Sequence, residues 1–146
     1  MQLNTSASVI SFAKQLEADS AGFYEKMAER YPEAAELFLT FSEENNKYAT
    51  MIQRTYYGVI TDAIEGCFAF CVETNKYTFE KESAKDIGYA DALNQVIDME
   101  QKLISFYTDA AEQSKPFMAD IPRTFLIVAK KRKNREDKLR TFLKET

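Results

Sequence analysis

Histidine is absent from this chain, and so is tryptophan. Without histidine the commonest zinc and iron ligand is gone, with the usual general base and any Ser–His or Cys–His nucleophile system. Cysteine is down to two residues, Cys67 and Cys71. Four apart on a helix, they would share one face, a poor geometry for a disulfide and too few ligands for a zinc or iron–sulfur site. Two buried free thiols in a reduced compartment are the expectation. Only four glycines and three prolines punctuate the chain, which leaves room for long helices. No stretch approaches the ~18 uncharged apolar residues that span a membrane. Met1 to Ser6 has neither the basic region nor the apolar run of a signal peptide. Gly-rich phosphate loops and Walker motifs are missing as well. A net charge of −4 speaks against general nucleic-acid binding. A cytoplasmic chain with no membrane and no nucleic-acid partner is expected.

What is present is enough for one domain with a real core: 146 residues, 45% of them hydrophobic, which excludes a disordered chain. The stretch that organises the rest is Ile97-Asp98-Met99-Glu100-Gln101-Lys102-Leu103-Ile104-Ser105-Phe106-Tyr107. In steps of three and four, Leu93, Val96, Ile97, Glu100, Leu103, Ile104 and Tyr107 share one helical face. A glutamate on that face meets the core, where an unpaired charge is too costly to stand alone. It requires a metal or a base.

The same pattern occurs earlier in the chain. Glu17 is followed by Phe23-Tyr24 and Ala28-Glu29, as Glu100 is followed by Phe106-Tyr107 and Ala111-Glu112. The spacing predicts two helical hairpins, about 5–57 and about 89–145, each needing the other to bury its apolar face. Pro32 falls in the first turn of the second helix, Asp120 caps the fourth, and Glu44 sits in the seam of the second beside Phe41 and Tyr48. Between the hairpins, about 58–88 is too long for a turn and reads as a crossover along the bundle. Its start, Val59 to Cys71, suits a short apolar helix, and Glu73 to Gly88 a polar loop anchored by Tyr77 and Phe79. A small apolar ligand near Cys67, Phe68 and Cys71 is one alternative to packing against the bundle. The basic run Lys130-Lys131-Arg132-Lys133-Asn134-Arg135 divides by helical phase: Arg132 and Arg135 point inward, and Lys130, Lys131 and Lys133 outward.

A four-helix bundle with one long crossover, carrying the Glu, Phe-Tyr, Ala-Glu pattern twice, resembles the ferritin-like fold and its rubrerythrin-type branch. The resemblance spans nearly the whole chain. It implies an all-α single domain, a homodimer, and a site where relatives hold two iron ions to reduce peroxide or oxidise iron. Relatives supply one glutamate from each of helices one and three and a Glu-x-x-His motif from each of helices two and four. Glu17 and Glu100 match the single glutamates, and Glu44 matches the first residue of the helix-two motif. Lys47 stands where its histidine belongs, and Arg132 and Arg135 stand in the helix-four motif. Neither base is a plausible ligand. The expected core is therefore an ion-pair network, Glu17, Glu44 and Glu100 against Lys47, Arg132 and Arg135, with Tyr24 and Tyr107 donating further hydrogen bonds. The expected function is non-catalytic and metal-free, structural or interaction-based. The alternative is a di-iron or mono-metal carboxylate oxidoreductase or storage protein holding iron weakly on Glu17, Glu44 and Glu100, with Glu136 from a shifted helix four.

Overall fold

The computed structural model describes residues 1–59, 68–83 and 86–146. The architecture is all-α apart from one two-residue strand pair, and four long helices carry it. Helix α1 spans Ser6–Arg30, α2 Ala35–Val59, α3 Tyr89–Ser114 and α4 Asp120–Glu145. Thr5 opens α1: its hydroxyl accepts from the Ser8 amide at 3.2 Å, satisfying a donor the helix itself leaves free. At the other end Tyr31 leaves helical geometry, as the residue before a proline does.

Several local details differ from expectation. Pro32 begins a 3-10 turn, Pro32–Ala34, that precedes α2 and makes the α1–α2 bend. The cap of α4 is Ala119, with no side-chain hydrogen bond, and Asp120 sits inside the first turn. There its charge still complements the helix dipole. Helix α2 continues through Val59. The short apolar helix expected at the start of the crossover is not found where it can be followed, because Phe68 to Cys71 are non-helical; residues 60–67, including Cys67, lie outside the described part. Phe70 is buried there, while Phe68 is 77% exposed.

The N-terminus supplies a structure the periodicity did not reveal. Strand β1, Gln2–Leu3, pairs antiparallel with β2, Val72–Glu73, in the register Leu3 opposite Val72. The Phe70 and Thr74 amides extend the ladder to the Asn4 and Met1 carbonyls. Leu3 and Val72 are both buried, so the pairing seals the base of the core.

From this anchor the crossover follows α1 towards its C-terminal end. Tyr77 donates to Asp109 of α3 at 2.6 Å, and Lys102 donates to the Thr78 carbonyl. At the far end Arg30 holds Ser83 through both its carbonyl and its hydroxyl. Contacts fix the helix directions. Ser42 meets Glu25 and Asn45 meets Ser20, so α1 and α2 run antiparallel. Arg132 meets Glu100 while Phe125 meets Tyr107, so α3 and α4 do likewise. Across the bundle, Tyr24 meets Glu100 and Tyr107 meets Glu17, so α1 and α3 are antiparallel. Helices α2 and α3 are then parallel, and the connection between them has to travel the bundle's length.

The centre is filled by Val9, Phe23, Phe38, Leu93, Val96, Leu103, Phe106, Phe125, Val128 and Leu139, all nearly or fully buried. Each such side chain contributes about 1.5–3 kcal/mol of transfer free energy, which is the main source of cohesion between the helices. No helix among the described residues is long and apolar enough to cross a membrane.

Candidate functional site

Midway along the bundle the apolar core gives way to charge. Arg132, fully buried, extends from α4 between Glu17 of α1 and Glu100 of α3. Its Nη1 lies 2.6 Å from both oxygens of Glu100. Nη2 lies 2.6 Å from Oε1 of Glu17, and Nε lies 3.2 Å from Oε2. One planar guanidinium thus engages all four oxygens of two buried carboxylates, a fork geometry that an ammonium cannot reproduce.

Arg135, one turn further along α4, completes the balance. Its Nη1 reaches Glu100 at 3.2 Å, and its Nη2 reaches Glu44 at 3.1 Å and the Phe41 carbonyl at 3.2 Å. The ring of Phe41, 4.6 Å from the guanidinium carbon, and the ring of Tyr24, 5.2 Å away, offer their faces to the charge. Glu17, Glu100, Arg132 and Arg135 form a buried set of zero net charge. Burial alone would weaken the protonated form of Arg132. The carboxylates of Glu100 and Glu17 outweigh it and hold its pKa well above the ordinary arginine value. Arg135 is likewise raised, its burial outweighed chiefly by Glu100.

Tyr24 and Tyr107 supply the remaining hydrogen bonds, and they do so crosswise. Tyr24 of α1 donates to Glu100 at 2.9 Å, and Tyr107 of α3 donates to Glu17 at 2.5 Å. Because the two copies of the motif lie antiparallel, each tyrosine reaches the other copy's glutamate. Both phenols have pKa values well above normal, first through burial and then through the carboxylate each faces.

Helix α2 takes its part with a different register from the expected one. Lys47 is exposed and makes no ion pair among the described residues, so it does not belong to the network. Glu44 is at the edge, its side chain 40% exposed, touching only Arg135 of the buried cations. The residue that faces the centre is Asn45, fully buried. Its Oδ1 accepts from Arg135 at 2.6 Å and Arg132 at 3.1 Å, and its Nδ2 donates to Ser20 at 3.0 Å. The inward pair three apart on α2 is accordingly Asn45 and Tyr48, opposite Arg132 and Arg135 on α4. Asn45 was not anticipated. The signal was available in the series Phe38, Phe41, Asn45, Tyr48, Ile52, Tyr56, whose members stand three or four apart and are all buried.

Glu136 is also buried but belongs to a separate cluster on α4's flank, paired with Arg140 at 2.7 Å and Lys133 at 3.5 Å. Cys71 is exposed, and its sulfur accepts from Gln2. The cavity beside it is lined by Glu73, Lys76, Asp109 and Glu112, a polar surface that Phe68 does not join.

The donor set does not suit a pair of divalent ions. The lone pairs of Glu17 and Glu100 already accept from a guanidinium, and a metal between them would stand against two permanent cations. Among the described residues no group of three or more acidic or thiol side chains is arranged to hold a metal. No protein-family model, curated protein or solved structure matches the chain.

Proposed function

We propose that this chain is a non-catalytic, ferritin-like bundle of the rubrerythrin type in which a di-iron centre has been replaced by a salt-bridged core, and that it serves a structural or interaction role as a homodimer. The observation that carries the reading is Arg132, placed between the two motif glutamates and engaging all four of their oxygens. In the family that the motif resembles, those glutamates face metal. A guanidinium at that point offers no redox chemistry, no Lewis acid and no proton that titrates at ordinary pH. Supporting the same view, the helix directions require one long crossover, and the doubled Glu, Phe-Tyr motif meets itself across the bundle. Leu126 and Ile127, adjacent and exposed on the outer face of α4, are suited to contact a second copy.

Metal analysis of protein purified without chelator tests the reading. The expected result is iron, manganese and zinc far below one equivalent per chain, and no peroxidase or ferroxidase turnover above buffer. Stoichiometric iron that disappears with Glu17→Ala and Glu100→Ala would overturn it in favour of a carboxylate metalloprotein. Sedimentation equilibrium of the wild type against Leu126→Lys tests the dimer.

A further inference from the structure

The groove between α2 and α4 has a character opposite to that of the whole chain. It is a cavity of about 390 Å³ whose rim carries Lys47, Lys131 and Lys138, with Arg135 at its inner wall. Glu44 is the one acidic residue in its lining, and it is paired with Arg135. Among the described residues none of the three lysines has a carboxylate within 4.0 Å, although the chain carries net charge −4. Three unpaired ammonium groups around one cavity repel one another, and an anion of charge two or more removes that cost.

The inner wall adds one free donor. Tyr48 lines the groove, and its hydroxyl, which keeps some access to solvent, has no hydrogen-bond partner among the described residues. Arg135, 2% exposed, has a buried Nε–H without an acceptor, even though both its Nη atoms are engaged. The Tyr48 hydroxyl is therefore free to donate to a ligand seated in the groove, whereas the Arg135 Nε–H has no surface open to it. The Asn134 side-chain amide stands at the same rim. Of the basic run on α4, only Lys131, Asn134 and Arg135 line this groove, so helical phase divides that run between the core, this groove and other faces of the helix.

We propose that the α2–α4 groove binds the phosphate group of a small phosphorylated molecule, with Lys47, Lys131 and Lys138 neutralising its charge and Tyr48 donating to one of its oxygens. Phosphate suits the site better than a carboxylate does: it carries up to two charges and three terminal acceptors, which matches several separated donors. Phe41 and Met51 on the same wall offer an apolar surface to the remainder of the ligand. The proposal is independent of how the carboxylate core arose.

Calorimetric titration with pyrophosphate at near-physiological ionic strength tests it. One site per chain is expected, weakened at least tenfold by Lys47→Ala with Lys131→Ala, and weakened by Tyr48→Phe, which keeps the ring. A charge-matched control, Lys130→Ala with Lys144→Ala, lies outside the groove and should leave affinity unchanged. Flotation with phosphatidylcholine vesicles, with and without phosphatidic acid, distinguishes the source. Recruitment by phosphatidic acid that the groove variant loses assigns the phosphate to a lipid headgroup, and pyrophosphate binding without recruitment assigns it to a soluble ester. Absence of pyrophosphate binding, or an equal loss in the groove and control variants, would overturn the proposal.

Discussion

Arg132 and Glu100 meet at the centre of the bundle with no solvent exposure on either side chain, and Nη1 bridges both carboxylate oxygens at 2.6 Å. Removing charges from water is costly, and the attraction regained depends on geometry and on the other hydrogen bonds the pair makes. Here every carboxylate oxygen of Glu17 and Glu100 is bonded, so the acceptor side of the network is fully met. A single deletion should therefore hurt more than a balanced one. Arg132→Met is expected to cost about 3–5 kcal/mol because it leaves the buried Glu17 without a cation and Glu100 with Arg135 alone. Adding Glu17→Gln restores neutrality and should recover part of that loss. Lys130→Ala, on the outer face, should change stability by less than about 0.5 kcal/mol. Urea denaturation at neutral pH measures all three, and an additive double mutant would show that charge balance does not govern the core.

The crossed tyrosines predict behaviour at high pH. Burial, reinforced by the facing carboxylates, raises the pKa of both Tyr24 and Tyr107 well above the ordinary phenol value. The folded chain keeps these protons, whereas the unfolded chain releases them near ~10. Their contribution to stability is complete below that value and is lost progressively above it, by about 1.4 kcal/mol per pH unit for each. Tyrosinate absorbance should show the consequence. Tyr24→Phe with Tyr107→Phe should leave the native alkaline titration unchanged and remove two chromophores from the denatured one. A smaller native amplitude in the variant would mean that these phenols ionise while folded.

The long helices were legible because their signals are local. The hairpin bounds, about 5–57 and about 89–145, meet the outer ends of the four helices to within about two residues. The ion partners of Glu17 and Glu100 were legible for a related reason, since a charge on an apolar stripe has few alternatives. The register of α2 was not. Leu37, Phe38, Phe41, Glu44, Tyr48, Met51, Ile52 and Thr55 make a plausible stripe, but one too wide to tell whether position 44 or position 45 lies at its middle. An apolar arc some 100° wide tolerates that rotation, and only the opposing arginines choose. The β1–β2 pair was invisible because two residues are too few to alternate. It depends on a partner seventy positions away.

Glu136 gives the chain a response to acid. Burial by itself would raise its pKa, but the hydrogen bond from Arg140, the charge of Lys133 and the hydrogen bond from Gln101 leave it below the usual carboxylate value. A depressed folded pKa contributes stability that is present above the unfolded value of ~4.3 and lost as pH falls through the folded one. Glu136→Gln should therefore destabilise the chain at neutral pH, and the gap from wild type should close on acidification below ~4. Melting temperatures across that range test it. A gap independent of pH would assign the loss to packing.

The final prediction concerns the register of α2 and with it the descent of the core. If these helices once held two metal ions, the ligands on α2 must have faced inward, and the inward pair three apart is Asn45 and Tyr48. Glu44 and Lys47, although Glu44 is the residue type such a site uses, are turned towards the edge and the solvent. Rebuilding the motif at the inward positions, with Asn45→Glu, Tyr48→His, Arg132→Glu and Arg135→His, places four carboxylates with Glu17 and Glu100 and two imidazoles in the centre. Two divalent ions would neutralise that set, and binding should stabilise the fold because the unfolded chain has no such site. Cobalt titration should show two cooperative equivalents with a rise in melting temperature. The version in the other register, Lys47→His with Arg132→Glu and Arg135→His, should bind more weakly, since a histidine at 47 would point away from the centre. Equal binding by the two variants would show that α2 can rotate to present either face. Tighter binding by the second would mean that the inward assignment of Asn45 is wrong.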